Sequence, residues 1–379
     1  MIGHRKPFVQ TRRDAWVEIN LSSIEQNVKN IRKQLNSNVK LLAVVKADAY
    51  GHGSTMTAPT ILASGVDMLG VASVDEGIQL REAGINSPIL VLGTAPNWSF
   101  ASAVEYDIDL SIYSFDHLKE CINVYKRINK KPNVHIKLNT GMNRIGINQK
   151  DSIDFIKEVT SCEYVQTNGV FTHLACAENT VASNVQNDKF KNILNESKVN
   201  NCLIHAANTA GLFSYKEMHY DMARAGIGIY GLMPDLATEV QNNIQLKQVM
   251  SLKGRIVNIQ ILDRGQGISY GFSYVTSFSN TKIATIPIGY ADGVSRSLSN
   301  KIYGLINGKK VRQVGNITMD QMMFDITDID NVNVGDVITL IGEDGDEFIS
   351  IDSWANKLDT INYEVTCRLR VRLPRVYTR

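Results

Sequence analysis

Lys46 closes the apolar run Leu41-Leu42-Ala43-Val44-Val45 and is followed at once by Ala47-Asp48-Ala49-Tyr50-Gly51-His52-Gly53. A run this short, without polar relief, reads as a strand buried on both faces, as parallel strands are in α/β proteins. A lysine ending such a strand is poorly solvated, and desolvation favours the free amine, the form that attacks carbonyl carbon. The chemistry open to it is Schiff-base formation. Gly51 and Gly53 let the backbone turn tightly beside a ligand, while Tyr50 and His52 bring polar tips to the same mouth. The plainer alternative is a lysine that snorkels to water from an ordinary strand.

Chemistry from residues far apart in sequence needs a scaffold that gathers them. Strand-like runs recur at Leu41–Lys46, Met68–Ala72, Ile89–Leu92, Ile108–Tyr113, Val134–Leu138, Gly169–Thr172, Cys202–His205 and Ala225–Ile229, with helix-compatible sequence between neighbours. Eight β/α alternations over roughly 200 residues predict a closed (β/α)8 TIM-type barrel, an α/β fold. An open doubly wound sheet would need a G-x-G-x-x-G fingerprint after its first strand, which is absent. Barrel sites lie at the C-terminal strand ends. There the sequence places Lys46, then Thr140 to Arg144 after the fifth run, His173 after the sixth and Asn208-Thr209 after the seventh. Arg224 introduces the eighth, which continues through Gly226-Ile227-Gly228. Hydroxyls and glycines beside the last two strands sit where barrels commonly cradle phosphate with backbone N–H groups. A phosphorylated ligand beside a desolvated lysine points to pyridoxal 5'-phosphate.

Around the barrel, Trp16-Val17-Glu18-Ile19 alternates like a half-buried strand, and Ser22 or Ser23 is expected to cap a helix with Ile24, Val28, Ile31 and Leu35 on one face. From about Gln245 the periodicity changes to alternating strands at Gly254–Leu262, Lys282–Ile288, Val311–Thr318, Met322–Ile326 and Val337–Ile341. Turn signals such as Asn307-Gly308 and Asp344-Gly345 lie between them. One short helix is expected at Ser353–Leu358, and Arg368, Arg370, Arg372 and Arg375 read as a solvated or subunit-facing row along a strand. The expected organisation is an N-terminal strand segment over 1–20 packing with the β domain, a barrel over 21–244 and a mainly β domain over 245–379.

Forty basic against thirty-eight acidic residues leave a net charge of +2, which gives no general pull toward nucleic acid or anionic membrane and favours a small-molecule partner. The five cysteines are scattered without C-x-x-C spacing, so neither a disulfide framework nor a metal knuckle is expected, and a reducing cytoplasm fits. The stretch Met1 to Trp16 has no apolar core of a signal peptide, and no later run approaches membrane-spanning length.

Several ordered blocks resemble the alanine racemases: A-V-V-K-A-D-A-Y-G-H-G at Ala43–Gly53, K-L-N-T-G-M-N-R-I-G at Lys137–Gly146, F-T-H-L at Phe171–Leu174 and H-A-A-N-T-A at His205–Ala210. R-A-G-I-G-I-Y-G at Arg224–Gly231, S-Y-G at Ser269–Gly271, I-P-I-G-Y-A-D-G at Ile286–Gly293, M-D-Q at Met319–Gln321 and I-N-Y-E-V at Ile361–Val365 continue the likeness over nearly the whole chain. The resemblance implies interconversion of L- and D-alanine, as a peptidoglycan precursor supply, by a homodimer with shared active sites. It implies that Lys46 holds the cofactor and is one proton-transfer base, and that Tyr270 is the other, acting in the partner's site. Two groups on opposite faces are the simplest way to remove a proton from one side of Cα and return one to the other. A tyrosine near its reference pKa of about 10 is a weak base at neutral pH, so a hydrogen-bonding or cationic neighbour is required; the resemblance places His173 near that tyrosine and the arginine.

By the same resemblance Arg224 lies against the pyridine nitrogen, where it disfavours protonation, keeps the carbanion at Cα and suits racemisation over transamination. Arg144 serves the cofactor's phenolic oxygen and the substrate carboxylate, with Lys137, often carbamylated in the family, orienting it. Tyr50, Thr209, the Gly226 and Ile227 amides and Tyr363 hold the phosphate, with Asn208 beside them. Met319 offers its N–H to the substrate carboxylate, Asp320 supports it, and Tyr290 and Tyr363 line the entrance. Thr318 stands where many members have Cys, and Asn139 replaces a frequent Asp. Taken singly, Arg224 also reads as a rim salt bridge, Tyr270 as a turn tyrosine and His173 as a strand-end histidine. The rival activities are a racemase of another small amino acid such as serine, a barrel-type decarboxylase, expected to carry a carboxylate in place of Arg224, and a non-catalytic pyridoxal-phosphate carrier, which would lack the second domain and the S-Y-G block.

Overall fold

The computed structural model describes residues 13–236, 238–241 and 243–379; the first twelve residues, to which most of the expected 1–20 segment and of the signal-free start belongs, lie outside the described residues. Two compact units divide the chain, one formed by Ser22–Lys247 and the other by the segment ending at Leu21 together with Gln248–Arg379. Ala15–Asn20 (β1) alternates buried and half-buried residues, the pattern of a strand with one face on a core. It pairs antiparallel with Met250–Arg255 and parallel with Arg375–Thr378. The chain then passes directly into the helix Leu21–Arg32. Both expected capping serines therefore fall inside the first turn, while Ile24, Val28 and Ile31 are buried as their spacing requires.

Eight parallel strands form the barrel: β2 (Lys40–Val44), β3 (Met68–Val71), β4 (Ile89–Val91), β5 (Asp109–Ile112), β6 (Asn133–Lys137), β7 (Gln166–Phe171), β8 (Leu203–His205) and β9 (Met222–Ala225). They lie in chain order and β9 returns to pair with β2. Between β8 and β9 the ladder gives way to two hydrogen bonds, Asp221 N–H to Ile204 O and Arg224 N–H to Ala207 O, each 3.0 Å. The barrel is thus nearly closed, as the β/α rhythm predicts. The eighth strand, however, ends at Ala225 and not Ile229, so Arg224 lies within it rather than before it, and Ile227–Tyr230 is a 3-10 turn. Gly226, at φ −111° and ψ −98°, leaves the extended region and stops the strand.

The stretch after Lys46 is also different from a simple glycine turn. Ala47, Asp48, Ala49 and Tyr50 all have φ between 52° and 55°, a left-handed helical turn closed by Gly51 at φ 82°. Each such non-glycine residue costs about 1–2 kcal/mol, so surrounding bonds must hold it. The Glu76 carboxylate accepts the N–H groups of Ala47 and Ala72 at 2.8 and 2.7 Å, and Asp48 Oδ1 accepts that of Ser54 at 2.7 Å. Tyr50 is buried with its ring 5.1 Å from that of Tyr230, whose hydroxyl donates to Val44 O.

The second unit is built on one large sheet, in the order Asn258–Leu262, Thr281–Ile286, Met322–Asp325, Lys309–Val314, Tyr303–Ile306, Val337–Asp344, Met250–Arg255, β1, Arg375–Thr378, with a separate two-stranded sheet of Gly267–Ile268 and Tyr274–Val275. Asn307 and Gly308, at φ 51° and 71°, make the tight hairpin their dipeptide signals. The single strand expected at Gly254–Leu262 is two, because the Ile256 and Val257 N–H groups turn to Asp336 O and Thr285 O. The expected arginine row does not run along a strand, although Arg368, Arg370 and Arg372 are exposed. Arg368 ends a second helix, Asn362–Arg368; Arg372 pairs with Asp320 at 2.7 Å and Asp292 at 3.7 Å; and Arg375 donates to the carbonyls of Leu369, Arg370 and Leu373. Arg13 meets the buried Asp292 carboxylate with both terminal nitrogens, at 2.5 and 2.6 Å. Guanidinium groups are spent here on carbonyls and carboxylates at the sheet's edge.

Candidate active site

One guanidinium is held deep inside the barrel. Arg224 on β9 is buried, donating from NH1 to His205 Nδ1 at 2.9 Å and from NH2 to Thr172 O and Ala206 O at 2.8 Å each, with His173 Nδ1 at 3.1 Å. Its guanidinium lies over the Phe171 ring, 5.4 Å from the centroid. Burial pushes its pKa down to about 9, so it keeps its charge at neutral pH. Nε–H and the second hydrogen on NH1 meet no acceptor among the described residues. Because arginine can only donate, the His173 nitrogen facing it is bare. Burial, then Arg224, holds the His173 pKa well below the usual histidine value; the ring is neutral and carries its hydrogen on Nε2.

Lys137, the last residue of β6, donates to Leu92 O at 2.9 Å and lies 5.1 Å from the centre of the Phe171 ring. Burial first, then the charges of Arg224, Arg144 and Lys46, lower its pKa to about 7. The unfolded chain keeps the ordinary lysine value, so between about pH 7 and 10 it holds more protons than the folded chain and stability rises with pH. Below pH 7 both states are charged and the full cost, about 5 kcal/mol, is present. Lys137→Met should therefore be more stable than the parent at pH 7 in CO2-free urea titrations, and should lose most of the parent's gain between pH 7 and 9. A variant less stable at pH 7, with the slope intact, would contradict this.

Arg144 is exposed on the loop after β6. Asn139 organises that loop, its Oδ1 accepting the N–H groups of Gly141 and Asn143 at 3.2 and 3.0 Å, work that a carboxylate would do equally well. Gln186 ties it to the next loop through Thr140 Oγ1 and His173 O. On the other side of the mouth Thr209 opens the helix Thr209–Ser214, and its hydroxyl oxygen accepts the Gly226 N–H at 2.8 Å. That leaves the Thr209 O–H free to donate to a ligand while the Gly226 amide is engaged within the protein. Asn208 caps the same helix with its Oδ1 on the Gly211 N–H at 2.9 Å. A Cβ at Gly226 would sit 2.6 Å from the Tyr50 hydroxyl; only glycine lets that hydroxyl approach the turn beginning at Ile227.

In the other unit Tyr270 is 76 % exposed. It follows Ser269, at φ 65° and ψ −177°, a region that costs a non-glycine residue about 1–3 kcal/mol. Ser269 Oγ donates to Asn316 O, Asn316 Nδ2 donates to Tyr270 O, both at 2.7 Å, and a Cβ at Gly315 would lie 2.9 Å from that of Ser269. Met319 is exposed, and its carbonyl and that of Thr318 accept the N–H groups of Ala291 and Tyr290. Gly289 is required there, since a Cβ would come within 2.4 Å of the 318–319 backbone. Asp320 is engaged with Arg372. Tyr363 lies in the first turn of the helix Asn362–Arg368, and burial pushes its phenol up to about 12, so it remains a hydrogen-bond donor.

Sequence reasoning missed Glu76, His135, His205 and the Leu92 carbonyl. The one signal for them was the pair of histidines within apolar strand runs, V-H-I and L-I-H, on inward-facing barrel positions. Among the described residues no group of three or more His, Cys, Asp or Glu could hold a metal ion, and no helix is long and apolar enough to cross a membrane.

A buried cation with donor capacity left over suits an aromatic nitrogen, and a hydroxyl donor beside a glycine that no Cβ could replace suits a phosphate. Pyridoxal phosphate fits these residues, and with Lys46 at the mouth of a (β/α)8 barrel the class is a barrel-type pyridoxal-phosphate enzyme. Family models described as "Alanine racemase, N-terminal domain" and "Alanine racemase, C-terminal domain" match residues 19–234 and 249–377. The chain belongs to the alanine racemase family, isomerases that use pyridoxal phosphate to interconvert L- and D-alanine. It is 41% identical to alanine racemase 2 of Oceanobacillus iheyensis, over 97% of this chain and 94% of the relative. It is also 41% identical to the alanine racemase of Methanococcus maripaludis, over 96% and 98%. The crystal structure of the Bacillus anthracis alanine racemase with bound L-Ala-P matches with a TM-score of 0.90 at 36% identity, covering 97% of this chain and 96% of that one. The Clostridium difficile alanine racemase in complex with cycloserine matches with a TM-score of 0.89 at 35% identity, covering 97% and 96%.

Proposed function

We propose that this chain interconverts L- and D-alanine by passing the Cα proton between Lys46 on one face and Tyr270 of a second copy on the other. The observation that carries the reaction type is Arg224, a buried and still charged donor where an electron-withdrawing cofactor would otherwise be matched by a carboxylate. Pyridoxal phosphate, when bound, supplies the electron sink that makes the Cα proton removable. Arg224 donates to its ring nitrogen without giving up a proton, so charge stays near Cα and is quickly reprotonated. Neutral His173, with its hydrogen on Nε2, donates to the tyrosine oxygen and favours the phenolate. Lys137, with its pKa near 7, is nucleophilic enough to take up CO2 as a carbamate, which would turn a cation between Arg144 and Arg224 into an anion that orients Arg144. Tyr50, Thr209, Ile227 and Tyr363 hold the phosphate, and the Met319 amide and Arg144 hold the substrate carboxylate, with Tyr290 at the entrance.

The shared-site homodimer is supported by the apolar side chains left exposed in the segment that carries Tyr270: Phe272 is 69 % and Phe278 75 % exposed, and Val275 is exposed as well, apolar surface that calls for a cover. The five free cysteines suit a reducing compartment, and we place the enzyme in the cytoplasm. The test is to give the purified, cofactor-loaded protein L-alanine and follow D-alanine, with serine and lysine enantiomers alongside. A methyl-sized pocket rejects serine by about a hundredfold. Colour without conversion of any enantiomer would mark a carrier instead, and release of CO2 from lysine a decarboxylase.

A further inference from the structure

We infer that Asp109, at the end of the barrel opposite the site, is a positioning residue for Arg224, acting through His135 and His205. The polarity of the contacts leaves one solution. Arg224 can only donate, so His205 Nδ1, 2.9 Å from NH1, accepts and is bare. A neutral ring with a bare Nδ1 carries its hydrogen on Nε2, which lies 3.0 Å from His135 Nδ1. That nitrogen must accept in turn, which puts the His135 hydrogen on Nε2, 3.4 Å from Asp109 Oδ2. Were His135 protonated on both nitrogens, His205 would have to accept on both and become an anion. Both rings are therefore neutral and donate in the same direction, away from the guanidinium and toward the carboxylate.

All four groups are buried in the barrel. His135 Nε2 makes no hydrogen bond among the described residues, and the Asp109 carboxylate, at 3.4 Å, is the anion beside it. Asp109 is itself fixed by Asn168 Nδ2 at 2.9 Å, and lines an open cup of about 810 Å³ with Lys40, Asp67, Gln166 and Asp221, residues at or just before the starts of barrel strands. Without the carboxylate only the push of the Arg224 donor, relayed through His205, still favours a hydrogen on His135 Nε2, and no anion stands beside it. The ring can carry it on Nδ1, His205 must then accept there, and its own hydrogen moves to Nδ1, where it confronts the donor NH1 of Arg224. The guanidinium loses an acceptor and is pushed from its place.

The effect on turnover rests on Arg224 serving the cofactor nitrogen; the hydrogen positions do not. Neutron diffraction from deuterated holoenzyme crystals should show deuterium on Nε2 of His135 and His205 and none on either Nδ1. Deuterium on Nδ1 of either ring overturns the inference. Asp109→Leu should lower kcat by about 10–100-fold with KM changed less than about threefold, as loss of an outer partner does at other buried sites. Asp109→Asn, whose amide oxygen still accepts, should recover to within about threefold of the parent. A folded Asp109→Leu protein with unchanged kcat, or an Asp109→Asn protein as impaired as the leucine variant, refutes the positioning role. Should Asp109→Leu not fold, His135→Phe, which fills the same space without nitrogens, must show the same loss of kcat. If the parent racemises no amino acid, it is the proposed function that fails, and the deuterium positions still decide the wiring.

Discussion

Tyr270→Phe should lower kcat for alanine racemisation by about 10²–10⁴-fold, the range set by removing a positioned acid–base group. Two other properties should stay put. Within its own chain the exposed side chain leaves the structural contacts to its neighbours: Ser269 is held through Asn316 O, and Tyr270 itself through its carbonyl. The variant should therefore keep its melting temperature and its yellow colour. It should also still exchange the α-hydrogen of one enantiomer with solvent, because Lys46 remains on its face while the opposite face has lost its proton donor. Chiral analysis of the product, with α-deuterium loss followed by NMR, measures both. Turnover at the parent's rate would remove Tyr270 from the mechanism.

Mixing Lys46→Ala chains with Tyr270→Phe chains should restore activity that neither has alone. If each site takes its lysine from one chain and its tyrosine from the other, a mixed dimer contains one doubly damaged site and one intact site. Random reassortment makes half the dimers mixed, so roughly a quarter of the parent's activity should appear. Were both groups drawn from the same chain, every site would carry one lesion and the mixture would stay inactive. Unfolding and refolding the two variants together, beside each alone, distinguishes the cases. The experiment tests the exposed apolar residues Phe272, Val275 and Phe278 at the same time, since a chain that stays monomeric cannot complement.

The two proposed bases share a structural property that bears on both experiments. Lys46 leads into four consecutive left-handed residues, and Tyr270 follows a serine in a backbone region normally kept by glycine. Strain of this kind persists only where neighbours over-determine it. Glu76 and Asp48 do so on the barrel side, and Asn316 with Gly315 on the other. Substitutions in these supports should be kept apart from substitutions in the bases themselves.

The sequence by itself determined the barrel, the β unit that follows it and the identity of the groups available for chemistry. Alternation of apolar runs with helical stretches is a local property, and a lysine, an arginine or a tyrosine at a strand end can be read wherever the strand end can. Tertiary structure decided what those groups do to one another. No alanine prefers a left-handed conformation, so the turn after Lys46 is imposed by Glu76 from the neighbouring β/α unit and by the burial of Tyr50. The eighth strand stops where Gly226 must clear the Tyr50 hydroxyl, a contact between residues far apart in the chain. The arginines of the C-terminal tail look like an alternating row until carbonyls and Asp292 claim them. The line from Arg224 through His205 and His135 to Asp109 crosses strands β9, β8, β6 and β5, and its direction follows from one fact that no local pattern encodes: Arg224 can only donate, and each ring it reaches across the strands passes that polarity on.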